Sequence, residues 1–153
     1  METVYRSTVR VETGKDLARK VWLPAESRPV IFGIHAAVAK FYDLSSEAYE
    51  PHAATLDYVV AAVAAGLTGS YSAILQSNGI KADHGALTAE ATGDIAVEEG
   101  VLVIRRVRVA MQLNTPEKNR ETARRLFASF EQHSPAYRTL HRSFEITSEL
   151  NFA

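Results

Sequence analysis

The chain has 153 residues and a mass of 16.8 kDa, a length that suits one ordinary domain and can bury a substantial apolar core. Lys+Arg 17 against Asp+Glu 18 leave a formal net charge of -1, with 46% hydrophobic and 23% charged residues; this excludes wholesale disorder and the broad positive field of a general nucleic-acid binder. With Cys 0 there is no disulfide, no thiolate nucleophile, no sulfur-based zinc site and no dithiol redox couple.

Met1 to Arg6 lacks the basic start and apolar run of a signal peptide, so the expected location is the cytoplasm. Tyr5, Ser7, Val9 and Val11 alternate with Arg6, Thr8, Arg10 and Glu12, the period of a half-buried strand, and Gly14-Lys15 reads as a turn. A second strand runs to Leu23. Pro24 and Pro29 bracket a loop, and Val30 to Ile34 reads as a short strand buried on both sides. Ser45 to Ala54 is irregular and polar. Thr55 is the expected N-cap of a long helix, Leu56 to Ser77, with Asp57 in its first turn set against the helix dipole.

No charged residue occurs between Tyr58 and Ile80, a length that can span a bilayer. Its Ala and Gly content, with Thr68, Ser70, Ser72, Gln76, Ser77 and Asn78, favours a buried core helix instead. Ala61, Ala65, Gly69 and Ala73 form a small ridge on it, and apolar residues all round imply a helix enclosed by protein. Asn78-Gly79 is the stop signal.

Two strands follow, Leu87 to Ile95 and Val101 to Leu113, joined at Glu98-Glu99-Gly100. On the second, alternation places Val103, Val107, Val109 and Met111 on one face and Arg106 and Arg108 on the other. Thr115-Pro116-Glu117 opens a helix with Thr as N-cap and Pro in its first turn; Leu126, Phe127 and Phe130 point inward, and Glu117, Arg120, Glu121, Arg124 and Arg125 are spaced for outward ion pairs. Ser134-Pro135 repeats the start signal for a short helix to His141, and Phe144 to Phe152 alternate as a final strand. No repeat or linker divides the chain, so residues 1–153 read as one α+β domain with a largely antiparallel sheet packed on helices.

The five histidines, His35, His52, His84, His133 and His141, offer no pair at helical metal-ligand spacing, and no metal or other cofactor is expected. No serine sits in a nucleophile elbow and no glycine-rich phosphate loop exists. The arginines at 105, 106, 108, 120, 124 and 125 are split by strand alternation or neutralised by glutamates, so no nucleic-acid surface is expected. His133, Ser134 and Tyr137 fit a capped helix start better than a pocket lining.

Ala54 to Gly69 resembles the central helix of the OsmC/Ohr family, the osmotically inducible and organic hydroperoxide resistance proteins, and His133-Ser134-Pro135-Ala136-Tyr137 with the strand to Phe152 is similar to its second signature. The resemblance implies an α+β fold with sheets around a long central helix, intertwined as a homodimer with sites at the interface. It implies a peroxiredoxin-like scaffold in which a peroxidatic and a resolving cysteine reduce organic hydroperoxides. Those two positions fall on Gly66 and Ser134, and the family's acid position falls on Leu56, with Asp57 the nearest carboxylate. The assisting arginine comes from the N-terminal strands, where Arg10, Arg19 and Arg28 remain alternatives.

The scaffold is therefore expected without its thiol chemistry. The leading expectation is a non-catalytic dimer that binds a small apolar molecule in the remnant pocket, with Asp57, His133 and Tyr137 as pocket residues. A purely structural or regulatory dimer is second, and an enzyme repurposed around His133, Ser134 or Asp57 is third.

Overall fold

In the computed structural model, which describes residues 1–153, pairing of the N-terminal strands begins later than their alternation suggests. Strand β1 is Arg10–Thr13, β2 is Arg19–Trp22 and β3 is Val30–Phe32, joined as an antiparallel sheet in the order β1-β2-β3. Residues 1–9 lie in no element and are exposed, and so is all of β1, including Val11, so the expected half-buried strand from Tyr5 to Glu12 is not formed. The reason is visible in the register. Arg10 pairs with Trp22, the last residue of β2, and nothing upstream has a partner.

β3 is likewise half-buried rather than buried on both sides, because it is an edge strand with one packed face. On that face Phe32 stacks on Tyr58 at 3.8 Å, and the Tyr58 hydroxyl donates to the Ile31 carbonyl at 2.6 Å. A short helix, α1 (Ala36–Phe41), and a 3-10 turn at Ser46–Ala48 follow; neither was expected, since six and three residues are too few to show a helical period. These elements belong to one compact unit, Met1–Tyr58; the second is Val59–Ala153.

Helix α2 runs Thr55–Ser77, so Thr55 is its first residue and not its cap. Asp57 makes the start: its carboxylate accepts the Ala54 N–H at 2.7 Å, the return half of a capping box. At the other end Asn78 donates its side-chain amide to the Ile74 carbonyl at 2.8 Å, and Gly79 at φ +74° reverses the chain. Only one stripe of α2 is buried, Val63, Leu67, Tyr71 and Leu75 at i, i+4 spacing. The ridge of Ala61, Ala65, Gly69 and Ala73 is exposed. The expectation of a helix enclosed on all sides is corrected for the single chain, which supplies cover for one face.

β4 (Leu87–Glu98) and β5 (Val101–Leu113) form a long hairpin closed by Glu99 and Gly100, both at positive φ (49° and 81°) as a two-residue turn of this hand requires. β6 (Glu145–Phe152) lies parallel to β5, completing a sheet in the order β4-β5-β6. The register shifts between Asp94 and Ile95: Asp94 pairs with Arg106 but Ile95 with Ile104, leaving Arg105 as a bulge. The extra residue inverts the alternation beyond it. Ile104, not Val103, therefore continues the face of Val107, Val109 and Met111, and Val103 joins the side of Arg106, against the simple alternation.

The face of Val107, Val109, Met111 and Leu113 packs with the α2 stripe, Ala123, Phe130 and Ile146 into the core of the second unit. Helix α3 is Glu117–Phe127 with Pro116 at its N-cap. Thr115 is buried and accepts from the Asn119 side chain at 3.0 Å, so it does not cap the backbone as expected. Of the charges on α3, Arg120 pairs with Glu117 at 2.9 Å, while the guanidiniums of Arg120 and Arg124 lie over the Phe152 ring at 5.2 and 4.8 Å. A 3-10 turn, Phe130–His133, leads to α4 (Pro135–Leu140). Tyr71 is fully buried among Phe127 and Phe130, with ring centroids 5.1 Å from each, and its hydroxyl donates to the Ala123 carbonyl at 2.7 Å. Burial pushes its pKa up to about 12.

Candidate functional site

Gly66 lies on α2 one turn from the buried stripe, and the start of α4 comes directly against it. A Cβ built on Gly66 would stand 2.5 Å from the Ala136 Cβ, inside any tolerable carbon–carbon contact. The space in which a side chain at position 66 would begin is filled by the methyl of a residue two places beyond Ser134. Two segments about seventy residues apart in the chain thus meet where the family's two cysteine positions were expected.

Ser134 is fully buried and is the N-cap of α4, its Oγ accepting the Tyr137 N–H at 3.4 Å. Proline at the first helical position follows it, so this start was legible from the sequence. His133 is exposed and shares no side-chain hydrogen bond with Ser134. Tyr137 is half-buried with its ring stacked on His141 at 4.9 Å, which makes it a packing residue of α4. Within the chain Ser134 is a buried helix cap with no imidazole on its hydroxyl.

Leu56, where the acid position was expected, is half-buried and carries no ionisable group. Asp57 next to it is engaged twice: one oxygen, Oδ2, accepts the Ala54 N–H and also lies 3.0 Å from His35 Nε2. This carboxylate holds the helix start and the residue preceding α1. The His35 contact had no signature in the sequence.

Among the N-terminal arginines, Arg19 is the one directed at α2. Its guanidinium donates to the Thr55 hydroxyl at 3.3 Å and to the Leu17 carbonyl at 2.8 Å. Leu17 itself stands at φ +68°, an unfavourable conformation for a branched side chain. Arg10 instead lies 3.6 Å over the Trp22 ring and 3.2 Å from Glu12. Arg28 makes neither a hydrogen bond nor an ion pair. No cluster of three His, Asp or Glu residues is placed to hold a metal ion.

Among curated proteins none matches the sequence significantly. Solved structures match over nearly the whole length. An OsmC-like protein from Mycoplasma pneumoniae superposes with TM-score 0.75 at 11% identity, covering 99% of each chain. An OsmC-like protein from Vibrio cholerae gives 0.74 at 12%, covering 97% of this chain and 100% of that one. An organic hydroperoxide resistance protein from Elizabethkingia anophelis gives 0.66 at 20%, covering 100% and 99%. At these identities the likeness shows the α+β fold, with its two sheets and long helix. The family model described as OsmC-like protein matches residues 50–149, which include α2, Gly66, Ser134 and all but the end of β6, and the chain belongs to this family.

Proposed function

We propose that this chain is an OsmC-like homodimer without thiol peroxidase activity, serving a structural or regulatory role in the cytoplasm, with residues 1–153 as one domain. The observation that carries the reading is the closure at Gly66. With the Ala136 methyl against its backbone and Ser134 fully buried, the positions that would reduce a hydroperoxide hold no thiol, and position 66 has no room for a side chain. Closure favours a structural dimer over one that binds a small apolar molecule there, reversing the order expected from the sequence.

Exposed apolar surface supports the dimer. The small ridge of α2 has no cover within the chain, and Ile95, Val97 and Val101 at the hairpin end and Val9 and Val11 near β1 are 41% to 58% exposed. A soluble chain gains by burying such surface against a second copy. Burial there also supports reading α2, which is long and apolar enough to cross a membrane, as a core helix of a soluble assembly.

Analytical ultracentrifugation is expected to find only dimer at micromolar concentration, with an interface above ~2,000 Å² as in permanent assemblies. Native mass spectrometry of the same sample is expected to give twice the chain mass with nothing retained. A stable folded monomer contradicts the dimer, and a stoichiometric small apolar molecule contradicts closure.

A further inference from the structure

The chain has asparagine at positions 78, 114, 119 and 151, and only Asn78 is followed by glycine. Asn78 comes directly after α2, and both it and Gly79 are exposed. A Cβ built on Gly79 would meet nothing within 4 Å, and Gly79 lines an open concavity of about 420 Å³ with Lys81, Asp83 and His84. Gly79 therefore puts no side chain between its own nitrogen and Asn78. After the other asparagines stand Thr115, Arg120 and Phe152, whose side chains crowd the nitrogen that follows.

The end of α2 is held by bonds of the kind that open first. The Asn78 N–H donates to the Leu75 carbonyl and the Gly79 N–H to the Gln76 carbonyl, both at 3.0 Å and three residues back instead of four, while the Asn78 side-chain amide donates to the Ile74 carbonyl at 2.8 Å. Terminal turns of this form have poorer hydrogen-bond geometry than the helix body, and they fray. Each opening frees the Gly79 nitrogen from Gln76 and the Asn78 side chain from Ile74, and the two are then close enough to react.

We infer that Asn78 is a site of spontaneous deamidation and that the reaction removes the stop of α2. The Gly79 nitrogen attacks Asn78 Cγ, forming an N–Cγ bond as the Cγ–Nδ2 bond breaks. The Gly79 proton passes to a solvent base, and Nδ2 takes a proton from water and leaves as ammonia. The cyclic imide then adds one water, opening to aspartate or, at its other carbonyl, to isoaspartate with the main chain rerouted through Cγ. Either product replaces a donor by a carboxylate, which can only accept. That carboxylate stands among the last carbonyls of α2, at the negative end of the helix dipole, and the last turn has no basic residue to offset it. The isoaspartate linkage also lengthens the chain between Leu75 and Ile80, both buried, where the Ile80 N–H closes the helix on the Leu75 carbonyl at 2.9 Å.

The test is peptide mapping by mass spectrometry of the full chain held at mildly alkaline pH and physiological temperature, with fragmentation that separates isoaspartate from aspartate. The peptide carrying Asn78 is expected to gain the mass of an amide-to-acid exchange, as both isomers, at least about tenfold faster than the peptides carrying Asn114, Asn119 or Asn151. Asn78→Gln, whose side chain would have to close a larger ring, is expected to abolish the change. In Asn78→Asp, which supplies one product directly, hydrogen exchange of the Ile80 amide is expected to be at least about tenfold faster than in the wild type. Conversion at Asn78 no faster than at the other asparagines, or an acid product without isoaspartate, overturns the assignment of the site; unchanged Ile80 exchange in Asn78→Asp overturns the loss of the helix stop.

Discussion

Gly66→Ala is expected to destabilise the protein by about 1–3 kcal/mol, although alanine is the better helix former by roughly 1 kcal/mol. The added Cβ would stand 2.5 Å from the Ala136 Cβ, and both atoms are fixed to helical backbone, so one helix has to move. The reciprocal change identifies the cause. In Gly66→Ala with Ala136→Gly the methyl is moved from one helix to the other, and most of the loss is expected to return, less the ~0.5–1 kcal/mol that glycine costs in α4. Urea denaturation of the wild type, the two single variants and the double variant gives the coupling energy. Strict additivity would show that the two residues do not contact. Gly66→Cys faces the same obstacle, which is why restoring a thiol here requires more than one substitution.

Tyr71 is expected to set an alkaline limit on stability. Its folded pKa is about 12 against an ordinary 10, because burial disfavours the phenolate. Between pH 10 and 12 the unfolded chain releases a proton that the folded chain keeps. The unfolded state then binds fewer protons and stability falls as pH rises. The contribution is fully present below pH 10 and lost as pH climbs through 12, a total of roughly 2–3 kcal/mol. Tyr71→Phe gives up the bond to the Ala123 carbonyl, costing about 1 kcal/mol at neutral pH, but is expected to flatten this limb relative to wild type. Denaturation midpoints at pH 8, 10 and 11, with the tyrosine titration followed by absorbance, compare the two; equal slopes would contradict the assignment.

The elements that were legible in the sequence are those whose signals are local. α2 shows as a charge-free run with an acid in its first turn, α4 as Ser134-Pro135, and the β4–β5 hairpin as β-branched strands around Glu99-Gly100. α1, at six residues, lies below the length at which a period can be counted. The bulge at Arg105 left its trace in the doubled Arg105-Arg106 of Val-Ile-Arg-Arg-Val, which a strict two-residue count passes over, and it moved Val103 to the other face.

The exposed face of α2 misleads for a different reason: small apolar residues look the same whether their cover comes from the same chain or from another. Of the candidate site, the helix positions of Gly66 and Ser134 followed from the family resemblance. The methyl of Ala136 that closes the space between them is a tertiary contact with no trace in spacing or composition. The second use of Asp57 is of the same kind, since His35 reaches it only after β3 and α1 are in place.

The most direct test of a scaffold without its thiol chemistry is the consumption of an organic hydroperoxide by pure, metal-free protein supplied with a dithiol reductant. Peroxide attack needs a thiolate and a second thiol to resolve the product, and a serine at its ordinary pKa replaces neither. The rate is expected to equal that of the reductant alone at every protein concentration. Consumption that scales with protein and exceeds one equivalent per chain would contradict the account.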